Sequence, residues 1–230
     1  MTPRPAAIFT TVRSALTLSP PEQTVCDDVN RLHLLVLSGF ANQTLDTAEP
    51  AIPRPAPVLY AARRGTPQPD RSRRLTAAPP EQILVQAPLH PNWKPLLGAG
   101  RILKANVFPV EHHVTAGDII DIQMIANPTM RDTPTRKRIS LSAPDEAAHW
   151  LHRYLTRSGL ETSPHHIDPG ERVCMTGTRT RTGDRITAHY REMTARSRVL
   201  DPELLVHALA QGVGQAKAYG CGLLRIHQVR

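Results

Sequence analysis

The order in which hydrophobic periods change along residues 118–227 constrains this chain more than any other feature. Residues 118–125 alternate well enough for a half-buried strand, and Ala126-Asn127-Pro128 ends the run because proline gives no N–H to a ladder. Ser142, backed by Pro144 and Asp145, reads as a helix start. Ala147, Trp150, Leu151, Tyr154 and Leu155 then keep the 3.6-residue period as far as Gly159. Two strands are expected at 171–178 and 185–193, joined by the turn Arg179-Thr180-Arg181-Thr182-Gly183-Asp184. Asp201-Pro202 starts a second helix that Gly212 stops, and 221–227 closes as a strand. The order is β-α-β-β-α-β.

The first half repeats that order less cleanly. Residues 6–12 read as a strand and Ser19-Pro20-Pro21-Glu22 as a capping box. Val25, Val29, Leu32, Val36 and Phe40 form the apolar stripe of one helix. Val58-Leu59-Tyr60 and Ile83-Leu84-Val85 are short strands, and a weak second helix spans 92–97 at best. Between the strands, residues 63–80 carry Pro67, Pro69, Pro79 and Pro80 with Arg63, Arg64, Arg71, Arg73 and Arg74, which reads as a mobile basic loop. The expected class is α+β, with two tandem ferredoxin-like (RRM-like) βαββαβ domains at 1–113 and 114–230. A length of 230 residues allows one sizeable core or two small ones.

Charge narrows the function. Twenty-eight Lys and Arg against 20 Asp and Glu give a net +8, which favours polyanionic partners, nucleic acid ahead of a membrane surface. The longest apolar run, around Leu34 to Leu37, is far below the ~20 residues of a spanning helix, and Thr10, Thr11 and Arg13 interrupt any signal-peptide core, so a cytoplasmic protein is expected. Cys26, Cys174 and Cys221 show no CxxC spacing, and the adjacent pairs His112-His113 and His165-His166 diverge in a strand; no metal, cofactor or small-molecule ligand is expected. With only 4% aromatics there are few platforms for stacking on bases, so a basic surface reading folded RNA fits better than a single-strand binder.

Three groups of residues carry candidate chemistry. Gly212-Val213-Gly214-Gln215-Ala216-Lys217 reads as a loop whose amides and lysine contact phosphate. The alternative is a glycine-rich turn that lets a helix and a strand pack closely. Lys217 stands where a dinucleotide fingerprint needs its third glycine, and no Gly-Lys-Ser/Thr occurs. Arg136, Lys137 and Arg138, with Arg131, form a basic loop, and Arg179, Arg181 and Arg185 surround a hairpin turn; together with Lys217 they outline an RNA-binding track. His33 lies on an otherwise apolar helix in register with Val29, Val36 and Phe40. It is either a core histidine or a proton donor whose reference pKa of ~6.5 neighbouring phosphates would raise.

With these residues the chain resembles CasE, the endoribonuclease of type I-E CRISPR Cascade. The likeness rests on Gly212-Val213-Gly214 with Lys217-Ala218-Tyr219-Gly220-Cys221-Gly222-Leu223-Leu224, on Ile83-Leu84-Val85-Gln86 before Pro91-Asn92-Trp93, on Ala126-Asn127-Pro128, on Asp201-Pro202-Glu203 and on Leu32-His33. The resemblance implies two ferredoxin-like domains and a metal-independent cut of the CRISPR repeat hairpin in precursor crRNA. His33 takes the acid role, the 179–185 hairpin grips the stem, and the product is retained. It implies as partners precursor and mature crRNA and the other Cascade subunits, including the backbone protein. The chain departs from the family at Asn30, where a tyrosine is frequent, at Leu34, where a polar or basic residue is common, and at Met124 and Ile125, which replace arginines. The second reading is therefore a catalytically silent RNA-hairpin-binding subunit of the same complex, and a third is a ferredoxin-like regulator that binds nucleotides or DNA.

Overall fold

The computed structural model describes residues 4–40, 57–69, 75–134 and 136–229. Its first half runs β1 (Ala6–Leu18), α1 (Pro20–Val25), α2 (Val29–Ser38), β2 (Leu59–Arg64), β3 (Gln68–Pro69), β4 (Leu75–Thr76), β5 (Pro80–Ala87), α3 (Lys94–Gly98) and β6 (Ile102–Thr115). The four long strands make an antiparallel sheet in the order β2-β5-β1-β6. Helical crossovers between β1 and β2, and between β5 and β6, leave gaps that β5 and β1 fill, which is the ferredoxin-like arrangement.

The second half repeats it. Strand β7 (Ile119–Ala126) is followed by a small hairpin, β8 (Thr129–Arg131) and β9 (Arg138–Ser140), then α4 (Pro144–Arg157), β10 (Leu160–Glu161) and β11 (Ile167–Asp168). The chain continues through β12 (Val173–Thr178), β13 (Arg185–Val199), α5 (Pro202–Gln211) and β14 (Arg225–Gln228). The order β14-β7-β13-β12 again places the first strand between the third and the fourth. Both expected α+β ferredoxin-like units are present.

Several elements differ from the sequence expectation, for local reasons. The helix expected to start at Ser19 is two helices broken at Cys26, Asp27 and Asp28. Ser19 makes no side-chain cap bond. Glu22 is drawn away instead, accepting Nε and Nη2 of Arg101 at 2.9 and 2.7 Å, and Val25 is left exposed. At α4 the N-cap is Ala143, with Pro144 supplying the preset φ of the first turn. Residues 221–224 are not strand; β14 begins at Arg225. Residues 129–140, expected as a loop, include the β8–β9 hairpin, in which Arg131 stands opposite Arg138.

Within the stretch expected as a mobile loop, residues 63–69 and 75–80 are described and hold regular structure. Strand β4 pairs in parallel with β12 at Thr76 and Cys174, and β3 pairs with β4, so this connection extends the second sheet. Arg63 and Arg64 belong to β2; Arg64 pairs with Asp27 and donates to the Ala78 carbonyl. Arg71, Arg73 and Arg74 lie outside the described residues.

Helix α2 contributes side chains to two of three buried clusters. Leu32, Leu35 and Val36 pack with Leu16, Tyr60, Ile83 and Trp93 in the first half. Trp150, Leu151, Met124, Met193 and Leu209 fill the second. Between them Val29, Leu59 and Ala61 join Ile125, Met175, Ile186, Cys221 and Leu223. Burying a side chain of valine size contributes about 1.5–3 kcal/mol, so Val29 adds a tie from α2 to the second half beside the three side chains that hold it to its own sheet.

Candidate functional site

Helix α2 carries His33, and its start is set by Asp28 rather than by an upstream cap. Asp28 holds an extended conformation, and its Oδ1 accepts the N–H groups of Asn30 and Arg31 at 2.8 and 3.1 Å. Asp is among the strongest N-cap residues, and its charge complements the positive end of the helix. The other oxygen, Oδ2, accepts the N–H of Thr178 at 2.8 Å, at the end of β12. Two residues on, Asn30 Nδ2 donates to Thr180 Oγ1 at 2.9 Å. Gly177 makes the approach possible: a Cβ there would stand 2.7 Å from Asp28 Oδ1 and 3.1 Å from the Val29 nitrogen. The first turn of α2 is thus tied to the turn that carries Arg179, Arg181 and Arg185.

That turn closes through Arg179 N–H to the Asp184 carbonyl at 2.9 Å and Gly183 N–H to the Arg179 carbonyl at 2.8 Å. Its three arginines are exposed. They are free to meet a phosphate backbone with bidentate forks.

His33 lies one helical turn after Val29 and is half-buried. Its Nδ1 is buried with no hydrogen-bond partner among the described residues. Burial pulls its pKa below the ordinary histidine value, which favours the neutral imidazole at pH 7. A satisfied core histidine would have its buried polar atoms paired, whereas Nδ1 of this one is not.

The glycine-rich segment reaches the same helix. The short turn Lys217–Tyr219 packs against α2 and β2, and Tyr60 Oη donates to the Ala218 carbonyl at 2.7 Å. Lys217 Nζ donates to the Gln211 carbonyl at 2.7 Å, capping the C-terminus of α5, and burial lowers its pKa. Gly212 and Gly214 both have positive φ. A Cβ at Gly212 would meet Leu59 and the Gly222 carbonyl at 2.8 Å, and one at Gly214 would meet the Trp150 ring at 2.8 Å. The loop's path therefore accounts for both glycines through packing, and its lysine is engaged at the helix end.

Arg136, Lys137 and Arg138 are exposed on the β8–β9 hairpin, which is anchored elsewhere. Leu141 N–H donates to the Pro128 carbonyl, and Arg191 donates to the carbonyls of Gly170 and Ser142 at 2.6 and 2.5 Å. The structure thus gathers His33, the 179–185 turn and the Lys217 turn around α2, and puts the 136–138 cluster on a separate projection.

The family model for the CRISPR associated protein family matches residues 11–228. The chain belongs to that family. A curated relative, the CRISPR-associated endoribonuclease Cse3 of Thermus thermophilus, is 30% identical over 158 residues, covering 64% of this chain and 73% of the relative. The fold is similar to that of Thermus thermophilus Cse3 bound to an RNA representing a pre-cleavage complex, with TM-score 0.73, 23% identity and coverage of 95% and 100% of the two chains. It is also similar to Cas6e from Escherichia coli K-12, with TM-score 0.63, 18% identity and the same coverage. Membership in the CasE group, read from the Leu32-His33 and C-terminal glycine motifs, is borne out.

Sequence reasoning missed Asp28, Thr178 and Gly177. An Asp followed by an apolar helical period is an N-cap signal, but the Ser19-Pro20-Pro21-Glu22 pattern upstream claimed the helix start. Nothing in the sequence signals that Thr178, 150 residues away, donates to that cap.

Proposed function

We infer that this chain is an endoribonuclease that cleaves CRISPR repeat hairpins in precursor crRNA without a metal ion and keeps the product as a Cascade subunit in the cytoplasm. The observation that carries the reading is the hydrogen-bonded junction of the His33 helix with the arginine turn, through Asp28–Thr178 and Asn30–Thr180. These bonds support the reading because they tie the helix proposed to carry the acid to the turn proposed to grip phosphate. The first unit, expected at 1–113 but running to the end of β6 at Thr115, is the domain that carries the acid, and the second, from β7 onward, is the domain that contributes the RNA-binding turn.

In this chemistry the 2′-hydroxyl gives up its proton to solvent as its oxygen attacks the adjacent phosphorus, and the bond from phosphorus to the 5′-oxygen breaks. The products end in a 2′,3′-cyclic phosphate and a 5′-hydroxyl, and no water is consumed. The protein has to align the attack, stabilise charge and supply one proton to the leaving oxygen. His33 supplies that proton. Burial lowers its pKa in the free protein, and phosphates of bound RNA would act in the opposite direction by favouring the imidazolium. Arg179, Arg181 and Arg185 hold the stem and Arg136, Lys137 and Arg138 extend the basic track, while the Gly212–Gly214 loop and Lys217 support α2 from behind by packing and by capping α5. Among the described residues no helix is long and apolar enough to cross a membrane.

The test is a single-turnover assay on a labelled repeat hairpin in excess EDTA, comparing the wild-type chain with His33→Ala. The reading expects one cut by the wild type and an intact, bound hairpin with the mutant. Tight binding without a cut by either protein would instead identify a catalytically silent RNA-binding subunit.

A further inference from the structure

We propose that Asp28 is a positioning residue for the cleavage reaction, aligning the His33 helix with the RNA-gripping turn through its second carboxylate oxygen. The inference rests on the proposed role of His33 and goes beyond it, since both carboxylate oxygens of Asp28 are engaged by backbone N–H groups and act through the fold. An N-cap needs only one oxygen, and Oδ1 fills that need by taking the N–H groups of Asn30 and Arg31. Oδ2 does something a cap does not require. It accepts Thr178 N–H at 2.8 Å, across 150 residues of sequence, at the last residue of β12 before the arginine turn.

Other features converge on that contact. Gly177 leaves room for it, since any Cβ would push Asp28 and Val29 away. Asn30 adds a second, exposed bond to Thr180 inside the turn. Val29, directly after Asp28, is fully buried in the cluster that joins the two halves, so the first turn of α2 has one seat on the second sheet. His33 is five residues from Asp28, little more than one turn of a rigid helix. A displacement at Asp28 is therefore passed to the imidazole nearly undiminished. Rates that depend on near-attack geometry fall about 100-fold for a misplacement of ~1 Å. Placing a carboxylate beside a phosphate-binding turn also weakens anion binding, so its presence there favours alignment over affinity.

Asp28→Asn separates the two functions. Asn is as good an N-cap as Asp, but with its carbonyl oxygen on Asn30 and Arg31 it turns an NH2 group toward Thr178 N–H, donor against donor. The measurements are the single-turnover cleavage rate at saturating hairpin, the hairpin Kd and the thermal midpoint. The expected result is a rate about tenfold or more below wild type. The Kd stays unchanged or tightens, and the midpoint stays near wild type. Asp28→Ser, a different cap with one oxygen, should show the same split. If Asp28→Asn does not fold, Asn30→Ala, which leaves the cap intact, should show a smaller rate loss with unchanged Kd. Wild-type rates in the folded variants would overturn the proposal, as would a rate loss matched by an equal loss of affinity. These outcomes are distinct from failure of the proposed function, in which the wild type does not cut or His33→Ala cuts as well as wild type.

Discussion

Gly214→Ala isolates what the C-terminal glycines do. Gly214 has φ of +80°, a region that disfavours any residue with a Cβ by about 1–2 kcal/mol. A Cβ would also lie 2.8 and 2.9 Å from Cη2 and Cζ2 of Trp150. That ring is 2% exposed and packed on Tyr154 with centroids 4.5 Å apart, so it has no free direction to yield. Overpacking of this kind costs about 1–3 kcal/mol. The two effects act on the same site, and together they destabilise by roughly 2–5 kcal/mol, or roughly 5–15 °C in the thermal midpoint of a chain this size. Thermal unfolding by circular dichroism reads the shift, and hairpin Kd at a temperature where both proteins are folded reads binding. The packing account expects a large fall in midpoint with Kd nearly unchanged. An unmoved midpoint with lost RNA binding would refute it and return Gly214 to direct phosphate contact.

The other predictions concern the α2 junction and its charges. Gly177→Ala, whose Cβ would press on Asp28 Oδ1 at 2.7 Å, should slow single-turnover cleavage about 10–100-fold while Kd changes little; cleavage at wild-type rate would mean the α2 start tolerates the shift. His33 must be protonated to act as an acid, and burial lowers its pKa in the free protein. At subsaturating RNA the rate should fall as pH rises from an inflection below ~6.5, and at saturation that inflection should move up; a rate climbing steadily to pH 8.5 would remove the acid role. Glu22 has its pKa lowered, first by its hydrogen bonds to Arg101, so its contribution is present above the unfolded value near ~4.3 and is lost as pH falls through the folded value. Glu22→Gln should lower stability by about 1–3 kcal/mol at pH 7, with the gap closing in unfolding curves below about pH 4.

The fold was legible where side-chain periodicity and punctuation agreed. The Asp118-to-Pro128 pattern, the Trp150 helix and the Asp201–Gly212 helix each had a period and a stop signal, and their order defined the second unit. The first helical region misled because Ser19-Pro20-Pro21-Glu22 has the letters of a capping box, while Glu22 is spent on an arginine 79 residues away. The same blindness to distant partners hid the junction. His33 was visible as an odd residue on an apolar stripe, and Arg179, Arg181 and Arg185 as a basic turn, but their connection runs through Thr178 and Thr180. Lys217 was found by the loop around it, yet its bond to Gln211 depends on how α5 ends.

The most direct test of the central claim uses the RNA rather than the protein. Once the scissile phosphate has been mapped, a repeat hairpin with a single 2′-deoxynucleotide immediately 5′ of it is given to the wild-type chain, and the fragment termini are read by mass spectrometry. Attack by the 2′-hydroxyl predicts that this hairpin binds normally and stays whole, while the all-ribose hairpin yields a 2′,3′-cyclic phosphate and a 5′-hydroxyl. Cleavage of the deoxy-substituted hairpin at the same bond, or a 5′-phosphate on the product, would contradict the account.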